Sequence, residues 1–102
     1  MKNMLKEKLA QGVKPLGTFV GTGSAAVVEC LGCAGLDFVI LDNEHSPIEA
    51  ETTAELVRAA ERRSITPLAR VREISRPAIL KLLDVGVQGL IIPDVHSAED
   101  VR

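Results

Sequence analysis

Three ionisable side chains, Asp42, Glu44 and His45, follow an apolar run in the segment LDNEHSPIE, residues 41–49. A histidine titrates near neutral pH and can serve as a general base. A nearby carboxylate can orient the histidine or bind a divalent cation. Acid–base groups placed where a strand ends are typical of a catalytic edge.

The same pattern follows two later apolar runs. Arg70 and Arg72 lie at the end of TPLARV, and Asp94 and His96 lie at the end of GLIIPDV. The guanidinium group of an arginine holds a carboxylate or an enolate oxygen through a fixed fork of donors, and it stays charged. Histidine, arginine and carboxylates at one edge favour carbon–carbon or proton-transfer chemistry on a small oxo-acid.

The elements that would position these groups alternate between strand and helix. Ser46 and Pro47 are the predicted N-cap and first residue of one helix, and Ser75 is the predicted cap of another. The strand runs are apolar on both faces, which is typical of a parallel sheet covered by helices, and this predicts an α/β fold. The predicted helices cover residues 2–11, 25–34, 47–63 and 76–85, and the predicted strands cover residues 16–21, 36–42, 66–71 and 89–95.

Two architectures share this alternation, the doubly wound sheet and the (β/α)8 barrel. A doubly wound nucleotide-binding domain carries a glycine fingerprint after its first strand, but Ala26 stands where the third glycine would follow Gly21 and Gly23. We therefore predict a barrel and interpret the two glycines as a tight turn. Four strands do not close a barrel of eight, and Ser97 begins a new helical signature near the end. We expect residues 1–102 to form the N-terminal half of a (β/α)8 domain that continues beyond this sequence.

Composition excludes several function classes. A net charge of −2 argues against a nucleic-acid or anionic-membrane surface, and no run approaches membrane-spanning length. The N-terminus lacks the apolar core of a signal peptide, so we expect a cytoplasmic protein. Cys30 and Cys33 could form a redox pair or half of a zinc site, but we interpret them as small residues packed along a helix.

At these residues the sequence resembles a known family. The segments AGLDFVILDNEHSP, PLARV and ILKLLDVGVQGLIIPDV resemble, in order and spacing, the metal-dependent pyruvate aldolases of the HpcH/HpaI family. The resemblance covers the chain from Leu16 onward. It implies cleavage of 4-hydroxy-2-oxo acids to pyruvate and an aldehyde, through an enolate stabilised by Mg²⁺, Mn²⁺ or Co²⁺. It also implies a homo-oligomer, a trimer or a hexamer.

The resemblance also implies roles for individual residues. His45 matches the histidine that handles the proton of the 4-hydroxyl group, and Arg70 matches the arginine that contacts the pyruvate oxygen. Asp42 matches a neighbouring acid that orients the site. Asp84 matches an aspartate that assists the histidine across a subunit boundary. The metal ligands, a glutamate and an aspartate, would lie beyond Arg102, so we expect the 102-residue chain alone to be inactive.

Two alternatives remain open. The chain could belong to another lyase of the same superfamily, such as one acting on acyl-CoA esters, with its distinguishing pocket in later loops. It could also be a non-catalytic half-barrel that associates with itself through exposed parallel edges.

Overall fold

Four parallel strands form one sheet with helices between them. The computed structural model of the protein describes residues 3–43, 50–71, 74–92 and 98–101. The strand order is β1-β2-β3-β4, and every neighbouring pair is parallel. The elements are α1 (Met4–Ala10), β1 (Gly17–Val20), α2 (Ala25–Cys33), β2 (Phe38–Asp42), α3 (Ala50–Arg62), β3 (Thr66–Arg70), α4 (Arg76–Asp84), β4 (Gly89–Ile91) and a 3₁₀ turn (Ala98–Val101).

The predicted alternation is confirmed, and the boundaries differ by a few residues. The largest difference is at β4, which ends at Ile91 instead of residue 95. It pairs with β3 from Gly89 to Ile91, and residues 93–95 of the predicted strand lie outside the described residues. The predicted helix signals at Ser46, Pro47 and Ser97 lie outside the described residues. None of the helices that the structure describes is long and apolar enough to cross a bilayer.

Alternation along the strands gives the sheet two different faces. One face carries Val20, Val39, Leu41 and Ala69, which are buried under α2, α3 and α4. The opposite face carries side chains that stay partly exposed, namely Phe19, Phe38, Ile40, Leu68 and Ile91. Both faces carry apolar side chains, so the strands read as continuous apolar runs and the sequence alone does not distinguish the faces.

Local signals fix the helix ends. The side chain of Ser75 accepts a hydrogen bond from the backbone N–H of Ala78, as the sequence predicts, and Ser24 accepts one from Val27 at the start of α2. Gly35 and Gly86 follow α2 and α4 with φ of +94° and +100°, a conformation that a residue with a Cβ rarely adopts.

Helix α1 closes the amino-terminal end of the sheet. The backbone N–H of Leu5 donates to Oγ1 of Thr66, at the first residue of β3, and Nδ2 of Asn3 donates to the carbonyl of Gln88, just before β4. The Lys8 ammonium forms an ion pair with Asp37, which precedes β2. Because α1 covers the amino end of the sheet, a functional site would lie at the carboxyl end of the strands.

The carboxylate of Asp37 links α1 to the entry of β1 and β2. It accepts a hydrogen bond from Lys8 and a 2.8 Å hydrogen bond from the backbone N–H of Leu16. The Lys8 hydrogen bond, and then the Leu16 hydrogen bond, lower the pKa of Asp37 below its ordinary value of 3.8.

This lowered pKa predicts a stability contribution that disappears in acid. Because the native carboxylate takes up its proton at lower pH than the unfolded one, the contribution is complete above about pH 4 and is lost as the pH falls through the native pKa. We expect Asp37→Asn to lower the melting temperature at neutral pH and to converge with the unmodified protein in acid. Thermal unfolding from pH 7 to pH 2 measures this difference. A difference that is the same at every pH would contradict the prediction, and Lys8→Met should reduce the pH dependence.

Candidate active site

An ion pair between Asp42 and Arg70 lies at the carboxyl end of the sheet. Each is the last residue of its strand, and the parallel register places them side by side. Nε of Arg70 donates to Oδ1 of Asp42 at 3.2 Å, and Nη2 donates to Oδ2 at 2.7 Å. Two parallel hydrogen bonds fix the orientation of the guanidinium group as well as its distance.

Burial strengthens this pair. The side chains of Arg70 and Asp42 are 22% and 10% exposed, so little water screens the two charges from each other. The guanidinium carbon also lies over the ring of Phe19, 4.7 Å from its centroid. A cation held in this way suits the oxygen of a carboxylate or an enolate.

Asn43 anchors the point where the chain leaves β2. Its backbone N–H donates to the carbonyl of Arg70 at 3.0 Å, which extends the pairing of β2 and β3 by one residue. Its side-chain Nδ2 donates to Oγ1 of Thr53 on α3, also at 3.0 Å, and both residues are buried. The segment 44–49, which contains His45, therefore starts from a backbone position fixed on two sides.

Of the three predicted site residues that the structure describes, it brings together two, Asp42 and Arg70. Asp84 is exposed at the last turn of α4, next to the amino end of β4 and therefore away from this pair. His45 lies outside the described residues, as do Glu44, Arg72, Asp94 and His96.

Metal-ligating side chains do not cluster in the described parts of the chain. Within them, no three His, Cys, Asp or Glu residues are placed to hold a metal ion, and Asp42 is engaged by Arg70. Cys30 and Cys33 are free thiols on α2, as predicted, but both are exposed and not packed, because α2 directs Val28 toward the core.

Comparison with known proteins identifies the family. Residues 16–102 match the HpcH/HpaI aldolase/citrate lyase family. The chain belongs to this family. The resemblance seen in the sequence is therefore confirmed.

Individual relatives match over a fraction of their length. The chain is 31% identical to the 2-keto-3-deoxy-L-rhamnonate aldolase of Escherichia coli K12, over all 102 residues and 38% of that protein. It is 33% identical to the 4-hydroxy-2-oxo-heptane-1,7-dioate aldolase of Salmonella dublin, over all of this chain and 39% of that protein. The chain thus spans less than half the length of these curated relatives.

The crystal structure of the HpcH/HpaI aldolase from Desulfitobacterium hafniense DCB-2 matches with a TM-score of 0.90 at 34% identity. The match covers 96% of this chain and 38% of that one. The four parallel strands and their helices confirm the predicted half of a (β/α)8 barrel.

Three residues around the Asp42–Arg70 pair were not singled out in the sequence: Phe19, Asn43 and Thr53. Asn43 is adjacent to Asp42, and its position as a polar residue directly after an apolar strand is a signal that could have identified it from the sequence. Phe19 is recognisable only from the register, since it lies on β1 and Arg70 lies on β3. Thr53 resembles any other polar residue of its helix until its burial is known.

The Asn43–Thr53 hydrogen bond predicts a stability loss. We expect Thr53→Val, which keeps the side-chain shape but removes the hydroxyl group, to lower the free energy of unfolding by about 1–2 kcal/mol. Urea unfolding measures the change. Thr52→Val, the same substitution at the neighbouring and less buried position, is the control. Equal losses in the two variants would contradict a specific role for the buried hydrogen bond.

Proposed function

We propose that the protein containing this chain cleaves 4-hydroxy-2-oxo acids to pyruvate and an aldehyde, and also catalyses the reverse addition. The observation that carries the proposal is the fixed guanidinium of Arg70 at the carboxyl end of the sheet, held by Asp42. Membership of the HpcH/HpaI family and the aldolase names of two relatives support it. In barrels of this class, catalytic groups lie at the carboxyl ends of the strands.

The reaction develops negative charge that a fixed cation would stabilise. The 4-hydroxyl group gives up its proton, the bond between C3 and C4 breaks, and the bonding electrons move onto the 2-oxo oxygen as an enolate. C4 leaves as the carbonyl of the aldehyde, and protonation at C3 then yields pyruvate. Arg70 would donate to the 2-oxo oxygen, where the charge accumulates, and needs little reorganisation because Asp42 already holds it.

His45 would take the proton from the 4-hydroxyl group. It is two residues beyond Asn43, whose backbone N–H donates to the carbonyl of Arg70. Asp42 would act through Arg70 by fixing the direction of its donors. These roles extend to this chain what its resemblance to the family implies.

A divalent ion, Mg²⁺, Mn²⁺ or Co²⁺, belongs to the proposal as the cofactor. The described residues do not provide a ligand set for it. Its ligands would come from residues outside those described, as the sequence comparison with the family implies. The contribution of this chain would be the guanidinium group, the acid–base histidine and the scaffold that positions them.

Asp84 would act in a neighbouring subunit of a homo-oligomer. It is exposed beside Leu80 and Leu83, each 49% exposed on α4, and this apolar surface suits burial against another copy. We also propose a cytoplasmic protein, since exposed free thiols such as Cys30 and Cys33 suit a reducing compartment.

One alternative function is supported by the family's description, which includes citrate lyase. Cleavage of an acyl-CoA ester also produces an enolate that a fixed guanidinium could stabilise. Assays with a 4-hydroxy-2-oxo acid and with a citryl or malyl thioester, each scored for carbon–carbon cleavage, distinguish the two substrates.

The proposal predicts a large loss of activity when the guanidinium group of Arg70 is replaced by an amine. With a 4-hydroxy-2-oxo acid and Mg²⁺, Mn²⁺ or Co²⁺ present, we expect Arg70→Lys to lower kcat for pyruvate release by about 100-fold, because a lysine cannot hold the same two-point geometry. Arg58→Lys, the same substitution on the exposed face of α3, is the control and should retain activity. An Arg70→Lys protein with normal turnover would refute the proposal, as would undiminished turnover after removal of divalent ions with EDTA.

The role of Asp84 predicts complementation between two inactive variants. We expect Asp84→Asn and Arg70→Lys to be poorly active alone, and to regain pyruvate release when their subunits are mixed and reassociated. In a mixed oligomer, the intact Asp84 of one subunit meets the intact site of its neighbour. Mixing two batches of Arg70→Lys is the control. If the mixture is no more active than its components, Asp84 does not act across subunits.

A further inference from the structure

The buried hydrogen bond between Asn43 and Thr53 joins the end of β2 to α3. Nδ2 of Asn43 donates to Oγ1 of Thr53 at 3.0 Å, and the two residues are 6% and 0% exposed. The backbone N–H of Asn43 donates to the carbonyl of Arg70, also at 3.0 Å. Asn43 thus connects α3 to the carboxyl ends of both β2 and β3. Further polypeptide packed against this chain can only increase the burial of these residues.

The side chains of Asn43 and Asp42 lie on opposite faces of the sheet. Successive residues of an extended strand alternate between the two faces. Asn43 therefore shares the helix-covered face with Leu41 and bonds to α3, whereas Asp42 forms its ion pair with Arg70 on the other face. A rotation of the strand end about its own axis would turn Asp42 away from Arg70, and the bond from Asn43 to α3 opposes that rotation.

Stability alone does not account for a polar pair at this place. Two buried polar groups lose their hydration before they bond to each other, and an apolar pair of the same shape can be about as stable. An apolar contact, however, tolerates small rotations and shifts, which a hydrogen bond with a preferred distance and angle resists. The property that the polar pair adds is a defined orientation of the strand end.

We propose that Thr53 is a positioning residue, which acts through Asn43 to orient the Asp42 carboxylate toward Arg70. Thr53 lies on the helix side of the sheet, and its influence reaches Arg70 through the residue next to Asp42. The orientation of that strand end decides whether the two carboxylate oxygens meet Nε and Nη2 of Arg70. Other groups in contact with Arg70 leave this requirement unchanged.

This role rests on the proposed function for its effect on catalysis, because the aldolase reaction is what gives the orientation of Arg70 a consequence in turnover. Its effect on the ion pair does not depend on any reaction. The two effects are measured separately. NMR follows hydrogen exchange of the Arg70 Nε–H, which donates to Asp42, and a kinetic assay follows pyruvate release from a 4-hydroxy-2-oxo acid with Mg²⁺.

The experiment compares variants of the full natural protein. Thr53→Val removes the hydroxyl group and keeps the side-chain shape, Thr53→Ser keeps the hydroxyl group, and Thr52→Val is the matched control on the same helix. A double variant, Asn43→Leu with Thr53→Val, replaces both partners of the hydrogen bond by apolar groups of similar size. Urea unfolding gives the stability of each variant beside its exchange rate and its turnover.

We expect Thr53→Val to speed exchange of the Arg70 Nε–H and to lower kcat by about threefold to tenfold, the equivalent of one net hydrogen bond. KM should change less, because Arg70 would stabilise charge that develops in the transition state. Thr53→Ser should stay close to the unmodified protein, and Thr52→Val should change neither quantity.

The double variant separates positioning from stability. It should regain most of the stability lost in Thr53→Val, because neither polar partner of the buried bond remains. It should nevertheless keep the fast Nε–H exchange and the low kcat, since an apolar contact does not orient the strand end.

Three results would overturn the positioning role. One is Nε–H exchange in Thr53→Val that is no faster than in Thr52→Val. Another is recovery of slow exchange together with stability in the double variant, which would make the pair a packing contact. The third is loss of the fold in both Thr53→Val and the double variant. Exchange in Thr53→Ser as fast as in Thr53→Val would also overturn it, because the hydroxyl group would then not be responsible.

Normal turnover in Arg70→Lys would instead refute the proposed function. The exchange rates would still decide whether Thr53 orients the ion pair.

Discussion

The parallel register of β2 and β3 is the constraint on which the candidate site depends. In a parallel sheet the carboxyl ends of neighbouring strands meet at the same edge, so residues that end two strands become neighbours without any contribution from a loop. Asp42 and Arg70 occupy these two positions. Because both side chains are mostly buried, removing either one would leave a charge with poor compensation, at a cost of about 3–5 kcal/mol in fully buried pairs and less here.

The two ends of the sheet have separate tasks. At the amino end, α1 is tied to the starts of β2, β3 and β4 through Asp37, Thr66 and Gln88. At the carboxyl end, the side chains of Asp42 and Arg70 pair, and the Arg70 guanidinium lies over the ring of Phe19. Loops at the carboxyl end can therefore vary between relatives with different substrates while the amino end preserves the fold.

The sequence predicts the alternation of strands and helices well, because apolar runs, serine caps and glycine stops are local signals. Ser75 and Gly86 bound α4 as predicted, and the strand-end rule selects Asp42 and Arg70, which form an ion pair in the structure. The features that the sequence does not reveal depend on contacts between residues that are far apart in the chain. Phe19 faces Arg70 across an intervening strand, and Thr53 is distinguished from Thr52 by burial alone.

The hydrogen bonds of α1 also have a consequence for how the chain acquires its structure. The bond from Leu5 to Thr66 joins residues 61 apart, and the bond from Asn3 to Gln88 joins residues 85 apart. Contacts of such long range form late, because a large loop must close before they contribute. Helix α1 is thus synthesised before the surface on which it docks, since that surface exists only after β3 and β4 have been synthesised and paired. During synthesis, Leu5, which is partly buried in the folded chain, therefore lacks its docking surface until β3 and β4 are in place.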